Sequence, residues 1–485
     1  MARKIFKTID VEVDAGTHDD RLYSAALHPW RSWLRKTMLP LVRQETPYLA
    51  AMQKRIRTPF LDHYFLWTAN LGTHTFFMIF LPILIWFGNA HLGRSIACLT
   101  AFGVFWSGFI KDFMCLPRPL SPPVHRLTMS QGAALEYGFP STHSTNSISV
   151  ALYLIAVACD SLPQESPARM LCILCAMFYA VSVVFGRIYC GMHTVTDVVG
   201  GTILAFLLYW AQWASRDILD GFVTSDSYWV FLSIPICLAL VGIHPDPIER
   251  CPCFEDSVCF MGVLMGVYPG SWMCNKTDIC HMGLTSSAGS LSFGLVSLGI
   301  SLMKIVVGVA LLFIWRIACK KACYFILPPI YRAFNLPHRK FEIGARTYKS
   351  LNKESIHPIP SVLDLQSLAG SVSSAEHVGI QSGIDLHERR VADCKYRGQQ
   401  RDGAFVDEKA NSTDTNTYYN NKPPFTPPLS ASLDDPTSML VVEDAPLRYD
   451  VDIVTKLIVY AGIGLVAVYP APIIFHLFFG GSSST

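Results

Sequence analysis

Three short polar segments of this sequence carry side chains that could do chemistry. They are residues 111–119 (KDFMCLPRP), 137–143 (YGFPSTH) and 187–197 (RIYCGMHTVTD), and each interrupts strongly apolar sequence. Ionisable side chains next to long apolar stretches are costly to place in a membrane, so they indicate function. The chemistry that these residue types favour is the binding and transfer of a phosphoryl group.

The cations and hydroxyls in these segments suit a phosphate monoester. Lys111, Arg118 and Arg187 supply three positive charges, and an arginine fork matches phosphate oxygens in pairs. Ser141 and Thr142 stand at a predicted helix start, where hydroxyl and backbone N–H donors meet an anion. Phosphoryl transfer asks a protein mainly to position the group and to neutralise its oxygens. We therefore predict that these five residues bind phosphate.

Two histidines could carry out a two-step displacement. His193 is the predicted nucleophile because Asp197 follows four residues later, on the same face if this stretch is helical. A carboxylate on one ring nitrogen fixes the tautomer and leaves the other nitrogen free to attack. His143 has no such partner, so it is predicted to protonate the departing alkoxide and then to activate water.

Other readings of the same residues are possible. A single histidine at a helix end is usually a cap, and Lys111 and Arg118 could be interfacial residues that extend towards the headgroups. His193 and Asp197 could also bind a metal, with His143 as a third ligand. Three nearby cations would repel a divalent ion, so we expect catalysis without a metal or other cofactor.

The composition predicts the elements that must position these residues. Hydrophobic residues make up 51% of the 485 and charged residues only 16%, which is typical of a polytopic membrane protein. We predict an all-α transmembrane helical bundle of about eight or nine spans. The candidate spans are approximately 64–88, 92–112, 144–160, 168–187, 196–215, 228–244, 293–318 and 452–479. The short, glycine-rich stretch at 258–272 fits either a ninth span or a re-entrant segment.

This arrangement of spans brings the three segments together. No predicted span separates the first from the second, and two predicted spans separate the second from the third. All three therefore lie on one membrane face, where they can form a single site.

The remaining sequence divides into tails and linkers. Residues 1–63 form a polar N-terminal tail with a predicted interfacial helix near 30–52, and 64–318 form the catalytic bundle. Residues 319–450 start basic and become rich in Ser, Asp, Asn, Thr and Pro, which is typical of a disordered linker. A last transmembrane helix occupies 451–485. The net charge of +2 gives no indication of a nucleic-acid partner, and protein partners are not indicated.

Five of the fifteen cysteines cluster in and around a polar loop. They are Cys251, Cys253, Cys259, Cys274 and Cys280. Their spacing lacks the paired C-x2-C knuckles of a zinc site. Disulfides or free thiols are therefore favoured over metal.

The three segments together resemble a known signature. They fit K-x6-R-P, P-S-x-H and R-x5-H-x3-D, the signature of the type-2 phosphatidate phosphatase superfamily, in residues 64–244. Gly186 stands where that pattern usually has Ser, and Thr142 where it usually has Gly. The stretches 115–126, 136–144 and 186–193 resemble the sphingosine 1-phosphate (long-chain-base phosphate) phosphatases, particularly fungal ones.

The resemblance implies a metal-independent lipid phosphate phosphohydrolase. Its expected substrates are sphingoid base 1-phosphates (sphingosine, dihydrosphingosine or phytosphingosine 1-phosphate), hydrolysed through a phosphohistidine on His193. One alternative is a broader lipid phosphatase acting on phosphatidate, lysophosphatidate or a polyprenyl diphosphate. Another is a non-catalytic lipid transporter on the same bundle. In each case the partners are a lipid phosphate and the bilayer.

The resemblance also implies an endoplasmic reticulum protein whose site faces the lumen. Two spans before Lys111 would place the basic residues 1–63 on the site's own face, and the positive-inside rule then points the site to the cytosol. If 258–285 does not span, the basic segment after Trp315 lies opposite the site, which favours the lumen. The triplet Asn275-Lys276-Thr277 is a glycosylation sequon, predicted on the site's side.

Overall fold

The computed structural model describes a helical membrane protein. It covers residues 14–18, 20–72, 74–87, 90–128, 135–246, 248, 251–288, 295–334, 336 and 449–479, with the backbone of two short strands. Most of the predicted linker at 319–450 lies outside these residues; its first residues, up to Ala333, are helical. The strands, β1 (Lys4–Lys7) and β2 (Val441–Asp444), pair antiparallel in a small unit of their own.

The helices of the second, larger unit confirm the predicted all-α class. They are α1 (Asp20–Ala26), α2 (Pro29–Ile56), α3 (Pro59–Thr68), α4 (His74–Phe87), α5 (Ala90–Met114), α6 (Thr142–Ser161), α7 (Pro167–Tyr189), α8 (Val195–Thr224), α9 (Ser233–Ile243), α10 (Cys253–Asn275), α11 (Asp278–Ala288), α12 (Leu295–Ala333), α13 (Val451–Val468) and α14 (Pro470–Phe479). Short 3₁₀ helices occupy Ala69–Gly72 and Tyr228–Leu232.

Six stretches of the described chain are long and apolar enough to cross a membrane. They are Ala90–Met114, Pro167–Tyr189, Val195–Thr224, Cys253–Asn275, Leu298–Ala333 and Val451–Phe479. The helical segments Pro59–Leu71 and Phe76–Phe87 are bent by 58° relative to each other, and they form a seventh span if together they cross the membrane once. The chain is thus a multi-pass membrane protein. The predicted spans at 144–160 and 228–244 do not meet this criterion, because the first half of α6 is polar and Tyr228–Ile243 is short.

Helix α10 shows that the glycine-rich stretch at 258–272 is not a re-entrant turn. It lies inside one continuous helix of 23 residues, about 35 Å long at 1.5 Å per residue. The glycines instead allow α13 to pack closely against α10. A Cβ atom on Gly266 would lie only 1.9 Å from the Ala461 carbonyl oxygen. Small residues at a helix contact are typical of membrane bundles.

The two ends of α10 lie at opposite ends of the bundle. Near its start, the His244 Nδ1 atom lies 3.8 Å from an Asp112 oxygen at the end of α5. At its other end, Asn275 Nδ2 donates to the Val223 carbonyl in the last turn of α8. Because α8 begins beside the motif residues, Asn275 lies at the end of the bundle away from them. The prediction that the sequon lies on the site's side is therefore wrong.

Helix α12 returns the chain to the end of the bundle where α10 begins. It continues beyond residue 318 to Ala333, and the Tyr331 hydroxyl donates to the Tyr449 carbonyl just before α13, at 2.8 Å. An ion pair between Lys456, in the second turn of α13, and Glu255, in the first turn of α10, joins the starts of these two helices. The basic residues in the second half of α12 therefore lie towards the site, not opposite it as the re-entrant alternative required.

The N-terminal segment packs on the bundle instead of forming a separate tail. Helix α2 buries Arg35, Leu39, Val42, Thr46, Leu49 and Gln53, spaced alternately four and three residues apart as on one helical face. The Arg35 Nε atom donates to the Cys115 carbonyl at 3.1 Å. Gln53 Nε2 donates to the Tyr189 carbonyl at 2.9 Å. Helix α2 thus braces the loops that follow α5 and α7.

Candidate active site

The structure brings residues from the first and third polar segments together in one buried cluster. Arg118 Nη1 lies 3.3 Å from His193 Nε2, and Arg118 Nη2 lies 2.5 Å from a carboxylate oxygen of Glu136. The other Glu136 oxygen contacts Lys111 Nζ. Lys111, Arg118 and His193 are almost fully buried, whereas 28% of the Glu136 side chain is exposed. We call these four residues the cationic cluster.

Arg118 is fixed by backbone carbonyls as well as by charge. Its Nε atom donates to the Glu136 carbonyl and its Nη1 atom to the Met192 carbonyl, both at 2.9 Å. Met192 immediately precedes His193, so the same guanidinium positions the histidine backbone and faces its ring. This five-donor planar group suits the role better than a lysine would.

His193 is held by the start of α8. Thr194 is the N-cap residue, and Asp197 forms a capping box with it: Asp197 N–H donates to Thr194 Oγ1 at 3.1 Å, and Thr194 N–H donates to Asp197 Oδ2 at 2.8 Å. This pairing satisfies two helix-end donors at once. His193 precedes the helix, so the helical condition attached to its pairing with Asp197 does not hold, although the two side chains do meet.

The contact between Asp197 and His193 indicates the role of each imidazole nitrogen. Asp197 Oδ2 lies 3.4 Å from His193 Nδ1, a distance and direction that do not yet make a hydrogen bond. The second oxygen, Oδ1, is buried without a hydrogen-bond partner among the described residues. A small rotation of the ring would complete an Nδ1–H donation. With that proton on Nδ1, the Nε2 lone pair accepts from Arg118 Nη1 at 3.3 Å, and it becomes free to react when Arg118 turns from the ring to a phosphate oxygen.

A tight turn between α7 and α8 brings His193 into place. Gly191 has φ = +63°, a conformation that other residues adopt at a cost. A Cβ atom there would lie 2.4 Å from Val124 and 2.9 Å from the His125 carbonyl oxygen. Glycine is therefore required at this position both by the backbone angle and by the space available.

The surroundings of His193 keep it neutral. Burial, followed by the positive charges of Arg118, Arg187 and Lys111, holds the pKa of His193 well below its usual range. Protonation would add a charge to a site that already contains three cations. A neutral imidazole is the form that can act as a nucleophile.

The second segment lies beside the cluster at the start of α6. Ser141 is the N-cap residue, and its hydroxyl accepts from the Ser144 hydroxyl at 3.0 Å while its backbone N–H donates to the Asp197 carbonyl. The Thr142 hydroxyl accepts from Ser107 Oγ on α5 at 2.9 Å. Both hydroxyls thus have structural partners. His143 is half-buried in the first turn and lies within electrostatic reach of Arg187, Glu136 and His193.

Arg187 adds a third cation from the last turn of α7. It is 6% exposed, and its Nε atom is buried without a hydrogen-bond partner within the described part of the chain. A buried donor without a partner favours the binding of an acceptor such as a phosphate oxygen. The preceding residue, Gly186, faces elsewhere: a Cβ there would lie 3.0 Å from the Phe65 ring. The sequence departure at Gly186 therefore accommodates α3.

Sequence reasoning did not identify Glu136 or the contribution of α2. Glu136 lies outside the signature positions, and its two ion pairs link it to residues 18 and 25 positions away. Glu45 of α2 accepts from the Thr196 backbone N–H at 3.1 Å in the first turn of α8. Only Leu39, Val42 and Leu49 of the buried residues of α2 are apolar, which is too short a pattern to reveal its buried face from the sequence.

The cysteine cluster divides between the two ends of α10. Cys251 pairs with Cys253 near the site, and Cys274 pairs with Cys280 at the opposite end, while Cys259 is a free, buried thiol. Asp112, Cys251 and Cys253 form the one group of three potential metal ligands in the described residues. As long as Cys251 and Cys253 form a disulfide, that group offers no thiolate for a metal.

Comparison with known proteins gives the chain its relatives. Residues 92–218 match the PAP2 superfamily. A dihydrosphingosine 1-phosphate phosphatase of Schizosaccharomyces pombe is 38% identical over 70% of this chain and 86% of that protein. A dihydrosphingosine 1-phosphate phosphatase of Saccharomyces cerevisiae is 32% identical over 66% and 78%, respectively.

A more distant relative has a broader name. Lipid phosphate phosphatase delta of Arabidopsis thaliana is 28% identical over 75% of this chain and 86% of that protein. No solved structure matches the chain. The extent and identity of the fungal matches confirm the resemblance seen in the three segments, and the chain belongs to the PAP2 superfamily, in the group that contains the dihydrosphingosine 1-phosphate phosphatases.

Proposed function

We propose that the protein hydrolyses the phosphate monoester of sphingoid base 1-phosphates through a phosphohistidine intermediate and without a metal. The observation that supports the chemistry most strongly is the placement of His193, with Nδ1 towards Asp197 and Nε2 towards Arg118 in a cluster of buried cations. The names of the fungal relatives support the substrate class.

In the first step, the Nε2 lone pair of His193 attacks phosphorus. The bond from phosphorus to the lipid oxygen breaks as the bond to nitrogen forms. Burial and the charge of Arg187 lower the pKa of His143, so His143 takes up a proton when the phosphate dianion binds and offsets that charge, and it donates this proton to the departing oxygen. Asp197 stabilises the positive imidazole that results. Lys111, Arg118 and Arg187 bind the phosphoryl oxygens throughout.

In the second step, water replaces the lipid alcohol. His143, now without its proton, accepts one from the water as the oxygen attacks phosphorus. The phosphorus–nitrogen bond breaks, which returns His193 to its neutral form and releases inorganic phosphate. His143 thus acts first as an acid and then as a base, and the enzyme returns to its starting state.

The charged side chains of the cationic cluster, together with Arg187, match a phosphate dianion. Lys111, Arg118 and Arg187 contribute three positive charges and Glu136 one negative charge, so these four side chains carry a net charge of +2. A phosphate dianion brings the sum to zero. This balance provides the electrostatic neutralisation that a metal ion supplies in other phosphatases.

A broader lipid phosphatase is the main alternative, and the name of the Arabidopsis relative favours it. The cations contact the phosphate and not the lipid, so they do not separate the two. The discriminating assay presents sphingosine 1-phosphate, lysophosphatidate and phosphatidate at equal surface concentrations in detergent micelles. We expect the largest kcat/KM for sphingosine 1-phosphate. Equal values would leave a general phosphatase, and a preference for phosphatidate would replace the sphingoid assignment.

We also propose the endoplasmic reticulum membrane as the location, from the resemblance, which implies a lumenal site. The charge pattern argues for the other face, because α2 and the basic second half of α12 both lie at the site's end of the bundle. The two cysteine pairs at opposite ends of α10 offer a test, since disulfides persist only on an oxidising face.

Mass spectrometry of rapidly alkylated membranes would read the state of each pair. With a lumenal site, Cys251 and Cys253 are recovered oxidised, and Cys274 and Cys280 are recovered as alkylated thiols. The reverse pattern would place the site in the cytosol and overturn the lumenal assignment.

A further inference from the structure

Glu136 is an unusual residue to find in a site that binds phosphate. Its carboxylate contacts Lys111 through one oxygen and Arg118 through the other, so it occupies the cations that phosphate needs. Burial would raise the pKa of Glu136, yet the charges of Lys111 and Arg118 hold it well below its usual range. The carboxylate is therefore ionised when an anionic substrate arrives, and the two anions compete for the same cations.

The position of Glu136 shows what could relieve this competition. Its side chain is 28% exposed, whereas Lys111 and Arg118 are 1% and 3% exposed. Glu136 therefore lies on the open side of the cations, where the non-phosphate part of a substrate must extend. When phosphate binds, it takes Lys111 and Arg118 away from the Glu136 carboxylate. A substrate with a positive charge next to its phosphate would give that carboxylate a new partner.

From this arrangement we propose that Glu136 binds the 2-ammonium group of the sphingoid base and selects amine-bearing lipid phosphates. This inference rests on the proposed function and deepens it. The ammonium is attached to the carbon next to the one that bears the phosphate, so it lies within a few ångströms of any group that touches the phosphate ligands. An ion pair there replaces the contacts that Glu136 gives up. A lipid phosphate without the amine leaves the carboxylate facing the phosphate oxygens, which disfavours that substrate.

The test is a ratio of kcat/KM values for two lipids that differ only in the amine. They are dihydrosphingosine 1-phosphate and its 2-deamino analogue, presented in the same micelles. We expect the wild-type protein to prefer the amine by about tenfold or more, as is usual for a hydrogen-bonded charge pair. In Glu136→Gln, which keeps the shape and loses the charge, the ratio should fall towards one. Glu136→Asp should keep part of the preference.

Inhibition by inorganic phosphate gives a second readout, and here the variant should bind more tightly than the wild-type protein. Because Glu136 competes with phosphate for Lys111 and Arg118, Glu136→Gln should be inhibited by inorganic phosphate at a lower concentration than the wild-type protein is. A variant that had merely lost its fold would bind phosphate more weakly. The matched control is Glu255→Gln, which removes a carboxylate that is 31% exposed and paired with Lys456, at the same end of the bundle but outside the cationic cluster. It should leave both the substrate ratio and the phosphate inhibition unchanged.

The outcomes separate this inference from the proposed function. Equal loss of activity on both lipids in Glu136→Gln, with the ratio preserved, would show that Glu136 only holds the cations and would overturn the inference. A wild-type ratio of one would also overturn it while the phosphatase activity stands. Failure of the wild-type protein to hydrolyse either lipid would instead refute the proposed function.

Discussion

Replacing Arg118 with lysine separates the charge of this residue from its geometry. The guanidinium bonds to the Glu136 and Met192 carbonyls at 2.9 Å and faces His193 Nε2 at 3.3 Å, in addition to its pairing with the Glu136 carboxylate. Lysine retains the charge, but its single nitrogen cannot reach these groups together. We expect Arg118→Lys to leave the two buried carbonyls without their donors.

The size of the effect follows from those two bonds. At about 1 to 1.5 kcal/mol each, their loss amounts to about 2 to 3 kcal/mol, or roughly a 30- to 150-fold decrease in kcat/KM. The decrease should appear in kcat as well as in KM, because Met192 positions the neighbouring nucleophile. Phosphate release from sphingosine 1-phosphate in micelles would measure it.

A matched substitution controls for general damage to the same loop. Arg126 also forms a forked contact, with Asp14 at 2.6 and 2.9 Å, but it lies outside the cationic cluster. Arg126→Lys should reduce kcat/KM by no more than a few-fold. If Arg118→Lys is equally mild, charge alone suffices at this position and the geometric argument is refuted.

Three further results are expected. Activity should survive EDTA because cations of the chain neutralise the phosphate; loss on chelation, restored by a divalent ion, would contradict this and point to a metal. Because burial and nearby cations hold the pKa of His193 low, Arg187→Gln should raise that pKa and shift the acid limb of kcat/KM to higher pH, and an unmoved limb would show that His193 does not control it. Deleting residues 355–440 should leave specific activity within a few-fold in correctly inserted protein, whereas its collapse would show that the segment contributes to the site.

The sequence predicted the reactive residues of the site more completely than the helices that surround them. Lys111, Arg118, His193 and Asp197 were identified from residue type and spacing, and the structure brings them together. The capping box that holds Asp197 was also present in the sequence, as Thr194 followed by an acid three residues later. From its spacing, Asp197 was paired only with His193, and its part in the cap was not considered.

Long-range packing accounts for most of what the sequence did not reveal. A helix was predicted near 30–52, but its many charges led it to be placed at the membrane interface and not against the bundle, because a buried Arg35 is recognisable only once its carbonyl partners are known. The glycines of α10 indicate flexibility in a single sequence and close packing in the presence of α13. Glu136 gains its importance from partners at positions 111 and 118, which no local pattern connects.

The central claim is that His193 carries the phosphoryl group. Brief incubation with lipid labelled with ³²P in its phosphate, followed by rapid denaturation, should trap a phosphoenzyme that is labile in acid and stable in base. Peptide mapping should place the label on His193. His193→Ala should show neither label nor turnover, while His143→Ala should turn over poorly with an intact phosphate site. Appreciable turnover by His193→Ala, or a label on another residue, would contradict the mechanism.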